Sequence, residues 1–283
     1  MCCTKYISMD YISLWDEQHE KARLQKQKLD AKSEDYWNDT KHVARFTEHL
    51  NEDRHGRVAW QLSCMNIESG STVLDIGAGP GTLAVPLAKS GCMVTALEPS
   101  AAMREAMQVY RKEAGAPEIT SVGAKWEDAG DVGKFDYVIS SYAFMFGDIR
   151  DTVTRINNAA KRAVHIFWFF RSPSVSRGNH DLWPLLYGEE YCHDPTADLL
   201  WNVLCQMGIY ANITVESRKK NQAFASMEDL YADFEKRMVV KDEAQRKIVR
   251  DYVDEKVVET KEGFVVPGYT LAAHIWWKKE EDI

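Results

Sequence analysis

The sequence predicts an α/β protein: a doubly wound, mostly parallel seven-stranded sheet with an N-terminal helical extension and helical insertions. Three observations carry that expectation. From residue 72 onward, short apolar strands alternate with amphipathic helical patterns, the rhythm of a parallel sheet covered on both faces. The segments "DYVIS" and "AVHIFWFF" are apolar along most of their length, as strands buried on both sides must be. The first strand, "TVLDIG", runs into a glycine turn that opens a helix.

Taken in order, residues 10 to 32 mix charges with Tyr11, Leu14, Trp15, Ala22 and Leu29, which predicts helical segments with a narrow apolar stripe. Ser33 then reads as the cap of a helix laying Tyr36, Trp37, Val43, Phe46 and Leu50 on a surface below. Arg57 to Met65 continues helical up to the turn "NIESG". Strands are predicted at 72–76, 93–97, 119–122, 135–140, 162–169, 209–216 and 268–277, with helices at 81–90, 100–114, 148–161 and 195–207. The stretch 171–193 breaks this rhythm: Pro173, Gly178, Pro184 and Gly188 stand among His180, Trp183, Tyr187, Tyr191 and His193, predicting an inserted, loop-like cover. A second insertion, about 224–262, holds two helical patterns, Ser226 to Met238 and Asp242 to Glu259, capped by Ser226 and Asp242. The division expected is a helical lid or extension over 1–66 and an α/β domain over 67–283.

Composition narrows the function classes. At 283 residues the chain can bury a full core without staples. A formal charge of −8 argues against a phosphate-tracking surface, so no nucleic acid is expected. Six cysteines without Cys-x-x-Cys spacing read as reduced thiols of a cytoplasmic protein, with no metal site expected; the adjacent Cys2 and Cys3 have no evident role. The longest apolar stretch, Phe264 to Trp277, is broken by Pro267, Gly268 and His274 and falls short of the ~20 residues a membrane helix needs. The Asn212-Ile213-Thr214 sequon reads more simply as a strand edge than as a glycosylation site.

Chemistry concentrates in "VLDIGAGPGTLAVPLA". Gly77, Gly79 and Gly81 let backbone amides approach a ligand at a helix N-terminus, and Glu98, about 20 residues on, ends a second strand where a carboxylate can take ribose hydroxyls. A dinucleotide fingerprint competes, but Thr82 stands where its third glycine would fall. Asp75, just before the turn, would also set a like charge against a pyrophosphate. A sulfonium nucleoside has no phosphates and carries a cationic sulfur and an ammonium, so the same aspartate favours it. For Asp75 the bland alternative is a turn or cap carboxylate, and for the glycines a tight turn with no ligand.

Here the sequence resembles the class I S-adenosylmethionine-dependent methyltransferases, the Rossmann-like small-molecule type, over about residues 70–170 through "LDIGAGPGT". The resemblance implies S-adenosylmethionine as cofactor. Asp75, Gly77, Ala78, Gly79 and Gly81 would line its methionine moiety, Glu98 would hold both ribose hydroxyls, and Pro99, Ser100 and Met103 would flank the adenosine. "GAKWEDAG" resembles the adenine-edge loop, with Trp126 near the base and Glu127 or Asp128 accepting from the exocyclic amine. "FDYVISSYAFMF" resembles the fourth strand, after which Ser140, Ser141 and Tyr142 would face the transferring methyl. The absence of an Asn-Pro-Pro-Tyr type tetrapeptide there favours small-molecule acceptors over DNA or protein glutamine. If the acceptor needs a base, Tyr142, His180 and His193 are the candidates, whereas His165 in its apolar strand reads as a satisfied core residue. The other readings are an NAD(P)-dependent oxidoreductase and a non-catalytic nucleoside-binding scaffold. Neither the acceptor nor the oligomeric state is written in the sequence.

Overall fold

The computed structural model describes residues 9–29, 37–40, 43–44, 47, 54–171, 174–219, 221–261 and 263–279. Ser33, Tyr36, Phe46, Leu50, Cys2 and Cys3 lie outside the described residues. Helix α1 (Tyr11–Leu29) comes first, then a π-helical turn (Arg54–Val58) leading into α2 (Ala59–Met65). Next come β1 (Thr72–Ile76), α3 (Ala84–Lys89), β2 (Met93–Leu97), α4 (Ala101–Ala114), β3 (Thr120–Val122) and β4 (Phe135–Ser141). They are followed by α5 (Ile149–Ala159), β5 (Ala160–Arg171), α6 (Ser174–Tyr187), α7 (Ala197–Gln206) and β6 (Asn212–Lys219). The chain ends with β7 (Gln222–Phe224), α8 (Met227–Arg237), α9 (Glu243–Lys256), β8 (Val258–Thr260), β9 (Gly263–Val266) and β10 (Tyr269–Lys278).

Seven strands form the main sheet in the order β3-β2-β1-β4-β5-β10-β6. The pairs among β1 to β5 are parallel, and β10 runs antiparallel to both of its neighbours. Alternation along β1 shows why the strands read as unbroken apolar runs. Leu74 and Ile76 pack with α5 (Ile149, Val153, Ile156) and α7 (Leu200, Val203, Leu204), while Val73 packs with Val85 and Leu87 of α3 and Met107 of α4. Asp75 shares the face of Val73 and is the polar exception. The sequon begins the edge strand β6, with Asn212 exposed.

The helical additions make a third cluster. Leu182 and Leu186 of α6, Leu230 and Phe234 of α8, and Val249 and Val253 of α9 pack with Val266 of β9. Ser226 and Asp242 cap α8 and α9 as the sequence predicts, each side chain accepting from the backbone N–H three residues on.

Four expectations are corrected. The stretch 171–193 is mostly helix, α6, with Pro184 inside it; the apolar stripe of Leu182, Trp183 and Leu186 outweighs the breaker residues. The second insertion ends its last helix at Lys256, because Val258–Thr260 pairs with β9 in a three-stranded sheet, β7-β9-β8, that the sequence reading does not contain. Helix α3 starts at Ala84 rather than 81, since the glycine turn occupies the intervening residues, and β6 starts at 212 rather than 209.

Helix α1 is anchored in the principal core rather than resting on it. Trp15 and Ala22 are 0% exposed, and the Trp15 indole N–H donates to the Phe146 carbonyl at 2.9 Å while its ring meets Phe144 edge-on. Leu14, expected in the same apolar stripe, is exposed.

Candidate cofactor and acceptor site

The carboxyl ends of β1, β2 and β4 meet at one edge of the sheet, where open α/β folds bind ligands. The turn after β1 leans on β2: the Gly77 and Ala78 amides donate to the Leu97 carbonyl at 2.8 and 3.2 Å, and Gly81 closes the turn on Ala78 at 3.0 Å. Gly77 has φ +71°, and a Cβ there would lie 2.3 Å from that of Ala143, so no side chain fits. Gly79 differs. A Cβ at its φ of +54° would meet nothing within 4 Å, so the backbone faces open space where a ligand can come close.

Glu98 closes the far side of this opening. One carboxylate oxygen accepts from the Gly79 amide at 2.9 Å and the other from the Ser100 amide at 2.8 Å, which fixes its orientation. A carboxylate has about four lone-pair sites, so each oxygen keeps capacity for a further donor. Arg104 of α4 braces the strand end, donating to the Glu98 and Pro99 carbonyls at 2.7 and 2.8 Å. Ser100 caps α4 by accepting from the Met103 amide at 3.1 Å and donates to the Trp37 carbonyl at 2.6 Å, tying the N-terminal segment to this rim. Met103 is buried beneath the rim, and Pro99 is exposed on it.

Asp75 is 2% exposed, and burial, then the neighbouring charge of Glu98, push its carboxyl up to about 7 against the pull of the Ala84 amide. Glu98 is raised as well, by burial foremost. The site thus holds two poorly compensated acids side by side. That donor set suits a ligand bringing hydroxyls and positive charge and repels a pyrophosphate, so the residues present fit a sulfonium nucleoside.

At β4, Ser140 is buried and donates to the Ile76 carbonyl at 3.1 Å, a bond that holds strand to strand. Ser141 accepts from the Gln61 side chain at 2.8 Å; Gln61, from α2, is 0% exposed and is itself reached by Arg57 at 3.3 Å. Tyr142 adopts φ +56°, an uncommon conformation for a non-glycine residue, with its ring stacked on Phe169 (centroids 4.4 Å apart) and the Arg57 guanidinium 5.0 Å over it.

The base-side loop after β3 carries Trp126, buried in the core at 2% exposure, and Glu127 and Asp128, both exposed. His180 and His193 are drawn together beside Tyr191 and α1. Their rings are 6.0 Å apart, His180 stands edge-on to Tyr191, and His193 lies 3.0 Å from Gln18 of α1 and 2.7 Å from the Asp194 carbonyl. His165 is the core residue expected of it: 2.9 Å from His274 and pushed down to about 3, chiefly by burial, it stays a neutral imidazole. Among the described residues no group of three or more His, Cys, Asp or Glu is placed to hold a metal ion, and no helix is long and apolar enough to cross a membrane.

The sequence reading missed Gln61, Arg57, Arg104 and Gln18. Only Gln61 left a trace, a polar residue inside the apolar segment "AWQLSCM".

Strand order and site together define a nucleoside-binding Rossmann-like protein whose final core strand is reversed, unlike the doubly wound dinucleotide fold, in which strand follows strand in parallel. Residues 73–163 match the family described as "Methyltransferase domain". A protein of Haemophilus influenzae, itself uncharacterised, is 30% identical over 218 residues, 76% of this chain and 79% of its own. A Bacillus halodurans protein assigned to the methyltransferases superposes with a TM-score of 0.57 at 13% identity, over 80% of this chain and 99% of its own. YcgJ from Bacillus subtilis does so at 0.53 and 16%, with the same coverage. The chain thus carries a methyltransferase domain over residues 73–163 and shares the Rossmann-like fold of the class I S-adenosylmethionine-dependent methyltransferases.

Proposed function

We propose that the protein methylates a small-molecule acceptor held beside Ser141 and Tyr142. The observation that carries this reading is the pair of buried acids, Asp75 and Glu98, flanking the open backbone at Gly79. Bound there, S-adenosylmethionine would supply a methyl group on a cationic sulfur: a lone pair of the acceptor would form the new bond to the methyl carbon in line as the carbon–sulfur bond breaks, its electron pair leaving with the neutral thioether of S-adenosylhomocysteine. Glu98 receives the two ribose hydroxyls on its remaining lone pairs. The backbone of the turn from Gly77 to Gly81 would line the aminoacyl arm, and Asp75 would balance the positive charge of that arm from within the sheet.

Because the displacement disperses charge, the protein's work is alignment and exclusion of water. Ser141, held by Gln61, and Tyr142, clamped between Arg57 and Phe169, form the wall against which the acceptor is oriented. In this reading Tyr142 would take the proton from a hydroxyl or ammonium acceptor. His180 and His193, whose contacts run to one another and to α1, serve better in the cover than as a base. Helices α1 and α6 would form that cover: Gln18, Gln25 and Lys26 of α1 bond His193, Cys192 and Asp194 in the loop after α6. A covered site favours a small acceptor over a polymer.

Incubating the protein with S-adenosylmethionine and panels of small hydroxyl, amine, thiol and carboxylate acceptors, and scoring S-adenosylhomocysteine release, tests the reading. Release with at least one small acceptor is expected. Release only with protein or nucleic acid would overturn the acceptor class, and binding without release against every class would favour a scaffold.

A further inference from the structure

We propose that Arg155, on α5, is a positioning residue that sets the base-side loop, and through it the carboxylate of Glu127 or Asp128, against the exocyclic amine of the cofactor's adenine. The inference rests on the nucleoside reading above and adds the residue that makes the loop rigid.

Residues 123–134 connect β3 to β4, and within residues 125–130 the backbone turns back on itself twice, Asp128 donating to the Lys125 carbonyl at 3.1 Å and Ala129 to that of Trp126 at 3.3 Å. Arg155 adds to these bonds from α5. Its guanidinium lies 4.5 Å over the Trp126 ring and donates to the carbonyls of Trp126, Gly130 and Glu127 at 2.9, 3.0 and 3.5 Å. Asp151, one turn earlier on the same helix, stands 3.7 Å from the guanidinium. The Trp126 indole N–H is buried with no hydrogen-bond partner, so the ring is held by packing and by the cation above it. The rigid planar fork of an arginine can serve several carbonyls and a ring face at once, which an ammonium cannot.

The two acids therefore stand on a backbone pinned on both sides of them, at Trp126 and at Gly130. They are exposed and free to face a ligand while the residues around them are fixed. Arg104 does the equivalent for the ribose side by holding the Glu98 and Pro99 carbonyls. A purely structural arginine would lower the melting temperature and weaken every nucleoside ligand equally. A positioning arginine changes which base is preferred.

The test compares binding of S-adenosylhomocysteine with that of S-inosylhomocysteine, whose base carries an oxygen where adenine carries the amine, in the wild type, Arg155→Met and Arg155→Lys. The wild type is expected to prefer the adenosyl ligand by roughly tenfold to a hundredfold, the range of one charge-assisted hydrogen bond. Both variants should prefer it by less than about threefold, with the loss falling on the adenosyl ligand; the lysine variant keeps the charge and serves if the methionine variant fails to fold. Undiminished preference in a folded variant would overturn the role of Arg155. Equal binding of both ligands by the wild type would instead remove the carboxylate–amine contact and the inference with it, while leaving the ribose and methionine assignments standing.

Discussion

The glycine-turn region and the helical additions proposed as its cover are built differently. Around β1 and β2 the contacts are backbone-directed and join residues close in sequence: Glu98 to the Gly79 and Ser100 amides, Asp75 to the Ala84 amide, Ser100 to the Met103 amide. In the cover they join segments far apart in the chain: the Gln18 side chain meets that of His193, Gln25 accepts from the Cys192 amide, and Gln206 accepts from the Tyr11 amide. The first half is a preformed socket. The second is an assembly that forms only when distant segments dock.

Perturbing the socket should cost binding, and perturbing the cover should cost stability. The largest effect is expected at Glu98. Each charge-assisted hydrogen bond to a ribose hydroxyl contributes about 1.5–3 kcal/mol, so Glu98→Ala should weaken S-adenosylhomocysteine about a hundredfold or more by calorimetry. The Gly79 and Ser100 amides also lose their acceptor, so a modest fall in melting temperature accompanies it. An unchanged affinity would place the ribose elsewhere.

Next comes Trp15→Ala. Removing a side chain with 0% exposure from the principal core should cost about 3–5 kcal/mol in denaturant unfolding while leaving the affinity of the folded fraction for S-adenosylhomocysteine near that of wild type. A loss below about 1 kcal/mol would mean that α1 is a loose flap. Deleting residues 1–32 is likewise expected to destabilise the fold, because it takes this core residue with it.

A smaller effect is the pH dependence set by Asp75. Its carboxyl ionises at about 7 rather than at the ordinary 3.8. The folded state therefore holds a proton over that interval which the unfolded state has released, and stability falls as pH rises across it. A ligand carrying an ammonium binds best once Asp75 is charged. S-adenosylhomocysteine affinity should climb as pH approaches 7, level off above it, and be accompanied by proton release, read from calorimetry in two buffers of different ionisation enthalpy. Asp75→Asn should flatten the profile; a wild-type profile already flat would show that Asp75 does not sense the ligand's charge.

The same division explains what was legible in the sequence. The seven strands, Asp75, the glycines and Glu98 lie in local patterns of period 2, turn composition and fixed offset, and each could be read in place. Helix α6 was not, because Pro184 and Gly178 suggest a break and only tertiary burial of Leu182, Trp183 and Leu186 overrides it. The sheet of β7, β9 and β8 escaped for the same reason, its strands being 3 or 4 residues long and stabilised by the helices packed on them. Gln61, Arg57 and Arg155 act across the fold on residues far away in the chain, and no local spacing announces such a partner.

The most direct measurement is a calorimetric titration of the purified protein with S-adenosylhomocysteine, S-adenosylmethionine, NAD and NADP under one set of conditions. Two acids flanking an open glycine backbone should give saturable binding of the two sulfur nucleosides and no detectable heat from either dinucleotide. Binding of NAD or NADP with none of the sulfur nucleosides would contradict the assignment of Asp75, Gly79 and Glu98 as a socket for S-adenosylmethionine.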